Sequence, residues 1–163
     1  MKSIVVKSLL IFSFTIILSC STGIHSIASV KQDDTESFSD MNHDILVYIN
    51  KYRSSKGLGS LQMLDAASTQ ALLHSKNMAQ RTTGFGHDGF NQRVAVVART
   101  EGRMSAYAEN VAYGQMSAKE VVQGWLDSPP HKKNIEGNYT LTGIGVYKDR
   151  DGTLFFTQMF FRK

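Results

Sequence analysis

Four side chains stand out in this sequence as able to coordinate, acidify or attack together: His87, Glu109, Ser128 and His131. Two neutral imidazoles and a carboxylate make a reasonable ligand set for zinc, or two ligands with a general base beside them. Ser128 stands three residues before His131, a spacing that permits a serine nucleophile with a histidine base, but no orienting third group is evident. None of the short zinc spacings occurs, because the two histidines lie far apart in the chain. On spacing alone they read more readily as ordinary core or surface residues than as partners in one site.

Their settings add weight. His87 sits in the glycine-rich run Gly84-Phe85-Gly86-His87-Asp88-Gly89, which permits close approach and unusual backbone angles. His131 directly follows Pro129-Pro130, a stiff corner that gives the imidazole a definite direction. Glu109 lies in the apolar stretch Ala108-Glu109-Asn110-Val111-Ala112. His74 reads as a packed or surface histidine, since no second ligand sits one turn away.

The elements that must position these groups are legible in part. A helix is expected from Ser39 or Asp40, with Ile45, Leu46, Ile49 and Tyr52 on its apolar face, basic residues in its last turn and Gly57 as its stop. Asn50 and Arg53 share one side of it, either solvated or, for Arg53, paired with a carboxylate of the site. A second helix, Ala66 to Arg81, has Ala67, Ala71, Leu72, Ser75, Met78 and Ala79 as its inner face, small enough for another element to approach closely. Arg93 to Arg103 carries a short apolar segment of undetermined type. Ser117-Ala118-Lys119-Glu120 is a capping box opening a helix to about Asp127, ended by the prolines, and a short helix through Ile135 follows. Thr142–Lys148 and Leu154–Phe161 read as a β-hairpin turning at Asp149-Arg150-Asp151-Gly152. The second strand is apolar on both faces, so it is covered on both. The expected class is α+β, an α-β-α sandwich with a small, mainly antiparallel sheet covered by helices on both faces.

The start of the chain reads differently. Residues 1–20 carry Lys2 and Lys7, then an apolar run too short to span a bilayer, and read as an export signal. Cys20 is the single cysteine, which leaves the domain without an internal disulfide. Ile17-Leu18-Ser19-Cys20 resembles the lipobox of bacterial lipoproteins, and lipidation at Cys20 would anchor an exported chain to a membrane surface. Residues 21–38 are polar and read as a tether, leaving 39–163 as one domain. The net charge is +4, and half of it belongs to the two lysines of the leader. With no basic cluster interleaved with aromatics, nucleic acid is not an expected partner.

Five motifs occur in an order that resembles the CAP superfamily, the SCP-like fold of cysteine-rich secretory proteins, antigen 5 and plant pathogenesis-related 1 proteins. They are Asn50-Lys51-Tyr52-Arg53; Gly86-His87; Ala108 through Ala112; Trp125 with Ser128 through Ile135; and Gly143-Ile144-Gly145 with Thr157 through Phe160. The likeness runs from about Met41 to Arg162 and is nearest to the bacterial, disulfide-free branch. It implies a cleft shared by His87, Glu109 and His131, with Ser128 where the family has a second acidic residue. It also implies that His87 and His131 can hold a divalent metal such as zinc, loosely. The expected function is that of an exported cell-envelope module binding an apolar ligand, an envelope glycan or a partner protein. The alternative is a metal-dependent hydrolase of peptide, ester or peptidoglycan with Glu109 as general base; the absent second carboxylate weighs against catalysis. A third possibility is that Glu109 is structural, tying helices together through Asn50 or Arg53.

Overall fold

The structure, a computed structural model, describes residues 28–163. The expected export signal, the lipidation site at Cys20 and the first part of the expected tether lie outside the described residues. Nine elements follow: α1 (Ala28–Ser55), β1 (Gln62–Met63), α2 (Asp65–Ala79), α3 (Phe90–Glu101), β2 (Ala106–Tyr113), α4 (Ala118–Asp127), α5 (Pro129–Ile135), β3 (Leu141–Lys148) and β4 (Leu154–Arg162).

The sheet has the order β1-β3-β4-β2. β1 runs parallel to β3, and the other two pairings are antiparallel. Central β4 directs Phe156 and Phe160 into a core with Ile45 and Ile49 of α1 and Val121 and Trp125 of α4. Its alternate residues Met159 and Phe161 enter a second core with Ala67 and Ala71 of α2 and Val94 and Val97 of α3. The period-2 alternation of one strand therefore feeds two cores, and the three-layer sandwich follows from it.

The α2 layer lies unusually close. A Cβ added at Gly143 would sit 2.2 Å from the backbone carbon of Ala67, and one at Gly145 would sit 2.1 Å from the backbone nitrogen of Leu72. Helix backbone thus rests on strand backbone, which only the glycines of β3 and the small residues Ala67, Ala71 and Ser75 of α2 allow. Ser75 completes the contact by donating to the Gly145 carbonyl at 2.9 Å and accepting from the Thr157 hydroxyl at 2.8 Å.

Several expectations need correction. α1 begins at Ala28, within the segment expected to be a tether, because nothing between there and Ser39 interrupts a helix: no proline or glycine occurs, and Lys, Gln and Glu are good helix formers. Leu72 is 45 % exposed and so does not belong to the inner face of α2. With the backbone seated on the sheet, the buried stripe narrows to Ala67, Ala71, His74, Ser75 and Met78. Residues 93–101 are helical, within α3, with Val94 and Val97 one turn apart on the buried side. Ala108–Ala112 is β-strand, paired along its length with β4, so tertiary pairing overrides the weak strand propensity of alanine, glutamate and asparagine. The prolines end α4 and also open α5 from its first two positions, where a missing N–H costs nothing. Half of the capping box forms, with Ser117 Oγ accepting from the Glu120 amide at 3.2 Å, while the Glu120 carboxylate reaches one residue further back, to the Met116 amide at 2.8 Å.

Gly143→Ala and Gly145→Ala are each expected to lower stability by about 1–3 kcal/mol or more through overpacking. Gly59→Ala, whose added Cβ meets nothing within 4 Å, is expected to change it little. Urea unfolding midpoints measure all three.

Candidate functional site

β2 is an edge strand, and the site is built around it. Glu109 points to the α2–α3 layer, where its side chain is 1 % exposed. A carboxylate in that position needs a charge partner, and Arg93 of α3 supplies one. Arg93 donates from Nε to Oε2 at 3.0 Å and from Nη2 to Oε1 and Oε2 at 2.7 and 2.8 Å. His87 Nδ1 meets Oε1 at 2.9 Å. A carboxylate facing a guanidinium is acceptor-only, so the proton of this contact is on His87 Nδ1, which in the neutral tautomer leaves Nε2 as the acceptor. The His87 side chain is itself 52 % exposed, standing between Glu109 and solvent.

A second histidine fixes the loop. His74 of α2 is buried, and its Nε2 donates to the Gly86 carbonyl at 2.8 Å, one residue before His87. Its Nδ1 has no partner. Burial is the main reason its pKa is lowered; the bond to Gly86 opposes that shift and the charge of Arg93 adds to it. His74 is thus a neutral strut beneath the loop that carries His87.

His131 reaches the same cleft from α5. Asn110 on the opposite face of β2 donates to the His131 carbonyl at 3.2 Å. Asn134 donates to the Glu109 carbonyl at 3.1 Å and to Asn110 Oδ1 at 2.8 Å. Trp125 Nε1 faces the Val111 carbonyl at 3.4 Å. These bonds cover the outer edge of β2 and hold α4 and α5 against it. His131 Nδ1 is buried without a partner. Its pKa is lowered first by burial and then by the nearby His87.

His87, Ser128 and His131 line one cleft of about 390 Å3, together with Phe85, Val111, Tyr113, Gln115 and Trp125. Hollows of about 660 Å3 beside α5 and about 460 Å3 beside the β3–β4 turn contain neither histidine. Glu109 stands behind His87, outside the lining. Its oxygens carry four hydrogen bonds, so it is placed to orient His87 and not to take a proton from a bound molecule. Two imidazoles fall short of the three protein ligands of a catalytic zinc site. Among the described residues, no group of three or more His, Cys, Asp or Glu side chains is placed to hold a metal ion. The residues present therefore do not fit a catalytic zinc centre.

Asn50 and Arg53 are not part of the cleft. Asn50 bonds both the amide and the carbonyl of Leu61, at 2.8 and 2.9 Å. Buried Arg53 donates to the carbonyls of Gly59, Ile135, Gly137 and Tyr139. Its partners are backbone carbonyls and not a carboxylate: one in the loop after α1, one on the last residue of α5 and two just beyond it, the side toward α5 being the negative end of that helix. Burial lowers its pKa. Arg93, Asn134 and Gln115 went unrecognised in the sequence; His74, read there as a packed or surface histidine, is packed, and its tie to the His87 loop was not foreseen. The usable signal for Arg93 was that a buried glutamate on β2 requires a cation, but nothing in the spacing names which one.

A family model described as the cysteine-rich secretory protein family, CAP, matches residues 46–160. In sequence the chain is similar to the uncharacterized protein YkwD of Bacillus subtilis, with 30 % identity over 117 residues, which is 70 % of this chain and 44 % of that protein. It is similar also to the uncharacterized membrane protein YlbC of the same organism, with 30 % identity over 122 residues, 73 % of this chain and 34 % of that one. The chain thus spans less than half the length of these relatives. Among solved structures it is similar to an extracellular protein containing a SCP domain from Bacillus anthracis, with 28 % identity, a TM-score of 0.69 and coverage of 87 % of this chain and 45 % of that one. An outer surface protein of Borrelia burgdorferi shares the fold, with 22 % identity, a TM-score of 0.61 and coverage of 82 % of this chain and 95 % of that one.

Arg93→Met, which strands a buried carboxylate, is expected to cost about 3–5 kcal/mol. Adding Glu109→Leu is expected to recover part of that loss, as read from urea unfolding. Stability is also expected to fall on acidification. Above the ordinary value of 6.5, His74 is neutral in both the folded and the unfolded chain and contributes nothing. Below it, the unfolded chain binds a proton that the folded chain resists, so stability drops until the lowered folded pKa is passed. His74→Gln should flatten that drop in midpoints measured between pH 7.5 and 5.

Proposed function

The chain belongs to the cysteine-rich secretory protein (CAP) family, and from that premise we propose that it is an exported cell-envelope module that binds its ligand through the cleft between His87 and His131. The observation that carries the reading is the state of Glu109. It is buried, doubly held by Arg93 and spent on His87, so the cleft offers a recognition surface with a fixed imidazole and no free carboxylate. Family membership supports export, as does the extracellular protein from Bacillus anthracis that this chain resembles. The basic, apolar leader points the same way. No helix among the described residues is long and apolar enough to cross a membrane. Attachment to the membrane surface is assigned to lipidation at Cys20, which two acyl chains would make stable.

Cleft binding is tested by capture. The intact protein is expected to retain an envelope component that His87→Ala and His131→Ala lose. It is expected to turn over no peptide, ester or peptidoglycan substrate, with or without added zinc. Zinc-dependent turnover that disappears in Glu109→Gln would replace this reading with the hydrolytic one. Cys20→Ser is expected to move the protein from the membrane fraction to the soluble fraction; an unchanged distribution removes the anchor.

A further inference from the structure

The proposed binding cleft has a chemical character that narrows its ligand. Among the described residues, no Asp, Glu, Lys or Arg side chain lines it. The charge of Glu109 is balanced behind it by Arg93, and His131, desolvated and beside His87, resists protonation. A carboxylate, phosphate or sulfate headgroup entering this cleft would lose its hydration without gaining an opposite charge.

The polar groups that do line it ask for donors. Gln115 Oε1 and His131 Nδ1 are buried beneath the lining and present no surface to a ligand. The half-exposed His87, in the tautomer whose Nδ1–H is committed to Glu109, presents Nε2 as an acceptor, and the Ser128 hydroxyl lines the cleft beside it. A purely apolar ligand would bury these two groups unpaired, which works against its affinity. A molecule carrying several hydroxyl groups would satisfy them.

The rim supplies the complementary surface. Tyr113 and Phe85 are each 54 % exposed. Their rings meet edge to face with centroids 4.7 Å apart, and Tyr113 also packs against Phe155 with centroids 5.7 Å apart and planes 18° apart. Tyr113 is therefore a braced aromatic plate beside the polar groups, held in place before any ligand arrives. An aromatic plate next to uncharged acceptors matches a sugar ring, which has a C–H face and a hydroxyl edge. The cleft of about 390 Å3 falls within the roughly 300–1,000 Å3 of small-molecule sites.

We propose that the cleft binds an uncharged saccharide, with one ring packed on the exposed Tyr113 beside Phe85 and its hydroxyls meeting His87 Nε2 and the Ser128 hydroxyl. This rests on the reading of the cleft as a binding site and specifies what it selects.

The intact protein is screened against an array of neutral and acidic oligosaccharides, and calorimetry follows with the neutral oligosaccharide that gives the strongest signal. The expected result is saturable binding of a neutral saccharide, with affinity lowered at least about tenfold in Tyr113→Ala and in Ser128→Ala. Circular dichroism checks that each variant is folded. Binding of no neutral saccharide, a preference for carboxylated or sulfated glycans, or affinity unchanged in both variants overturns the proposal. A parallel arm adds a sterol and a fatty acid, each in detergent. Capture of either lipid that is lost in His87→Ala overturns the saccharide but keeps the cleft as a binding site. Loss of the binding reading itself would appear as zinc-dependent turnover in the hydrolytic assay.

Discussion

The Arg93–Glu109 pair is the interaction on which the site depends. It joins α3 to the edge strand β2 through three short hydrogen bonds in a place where neither ion could stay charged alone. A buried pair of this kind adds little net stability compared with a well-packed apolar alternative. What it supplies is direction. Once Arg93 holds both carboxylate oxygens, one of them has a single remaining task, which is to accept from His87. That contact sets the tautomer of the imidazole and turns its free nitrogen outward. His74, clamped to the Gly86 carbonyl, removes the freedom the glycine-rich loop would otherwise have.

The pair in turn relies on the layers staying close. α2 can lie on β3 because Gly143 and Gly145 leave no Cβ in the way, and this brings His74 within 4.0 Å of Glu109. On the other face of β2, Asn110 and Asn134 form the matching tie to α5. A strand at a sheet edge is an exposed template for pairing with another chain. Here the edge is covered by Trp125 and Asn134, and the rest of the opening is the cleft. Successive residues of one strand thus serve two sites of attachment: Glu109 orients His87 from one side and Asn110 positions His131 from the other.

Much of this was legible in the residues. The apolar faces of α1 and α4, the capping box at Ser117, the corner at Pro129-Pro130 and the β3–β4 hairpin follow from local patterns and appear where those patterns put them. The two-sided character of β4 was sufficient to imply helices on both faces. The resemblance of five short motifs to the CAP superfamily pointed to the family to which the chain belongs. What stayed hidden was non-local. β2 has poor strand propensity and is held by its pairing with β4. Leu72 lies on a helical face that looks internal until the narrow seat on β3 is known. Arg53 and Arg93 are both arginines of amphipathic helices, yet one ends among backbone carbonyls and the other on the carboxylate.

The sequence by itself determined which segments become helix or hairpin, and which residue types are able to do chemistry, because periodicity, caps and turns act over a few neighbours. Tertiary structure decided what those residues do. It made Glu109 a support for His87 by choosing Arg93 as its partner, set Arg53 to brace the end of α5 and Asn50 to hold Leu61, and left a cleft bordered by Tyr113 and Phe85 that no Asp, Glu, Lys or Arg among the described residues lines. Those outcomes turn on desolvation and on which group lies within hydrogen-bonding distance of which, quantities that exist only once distant parts of the chain are packed together.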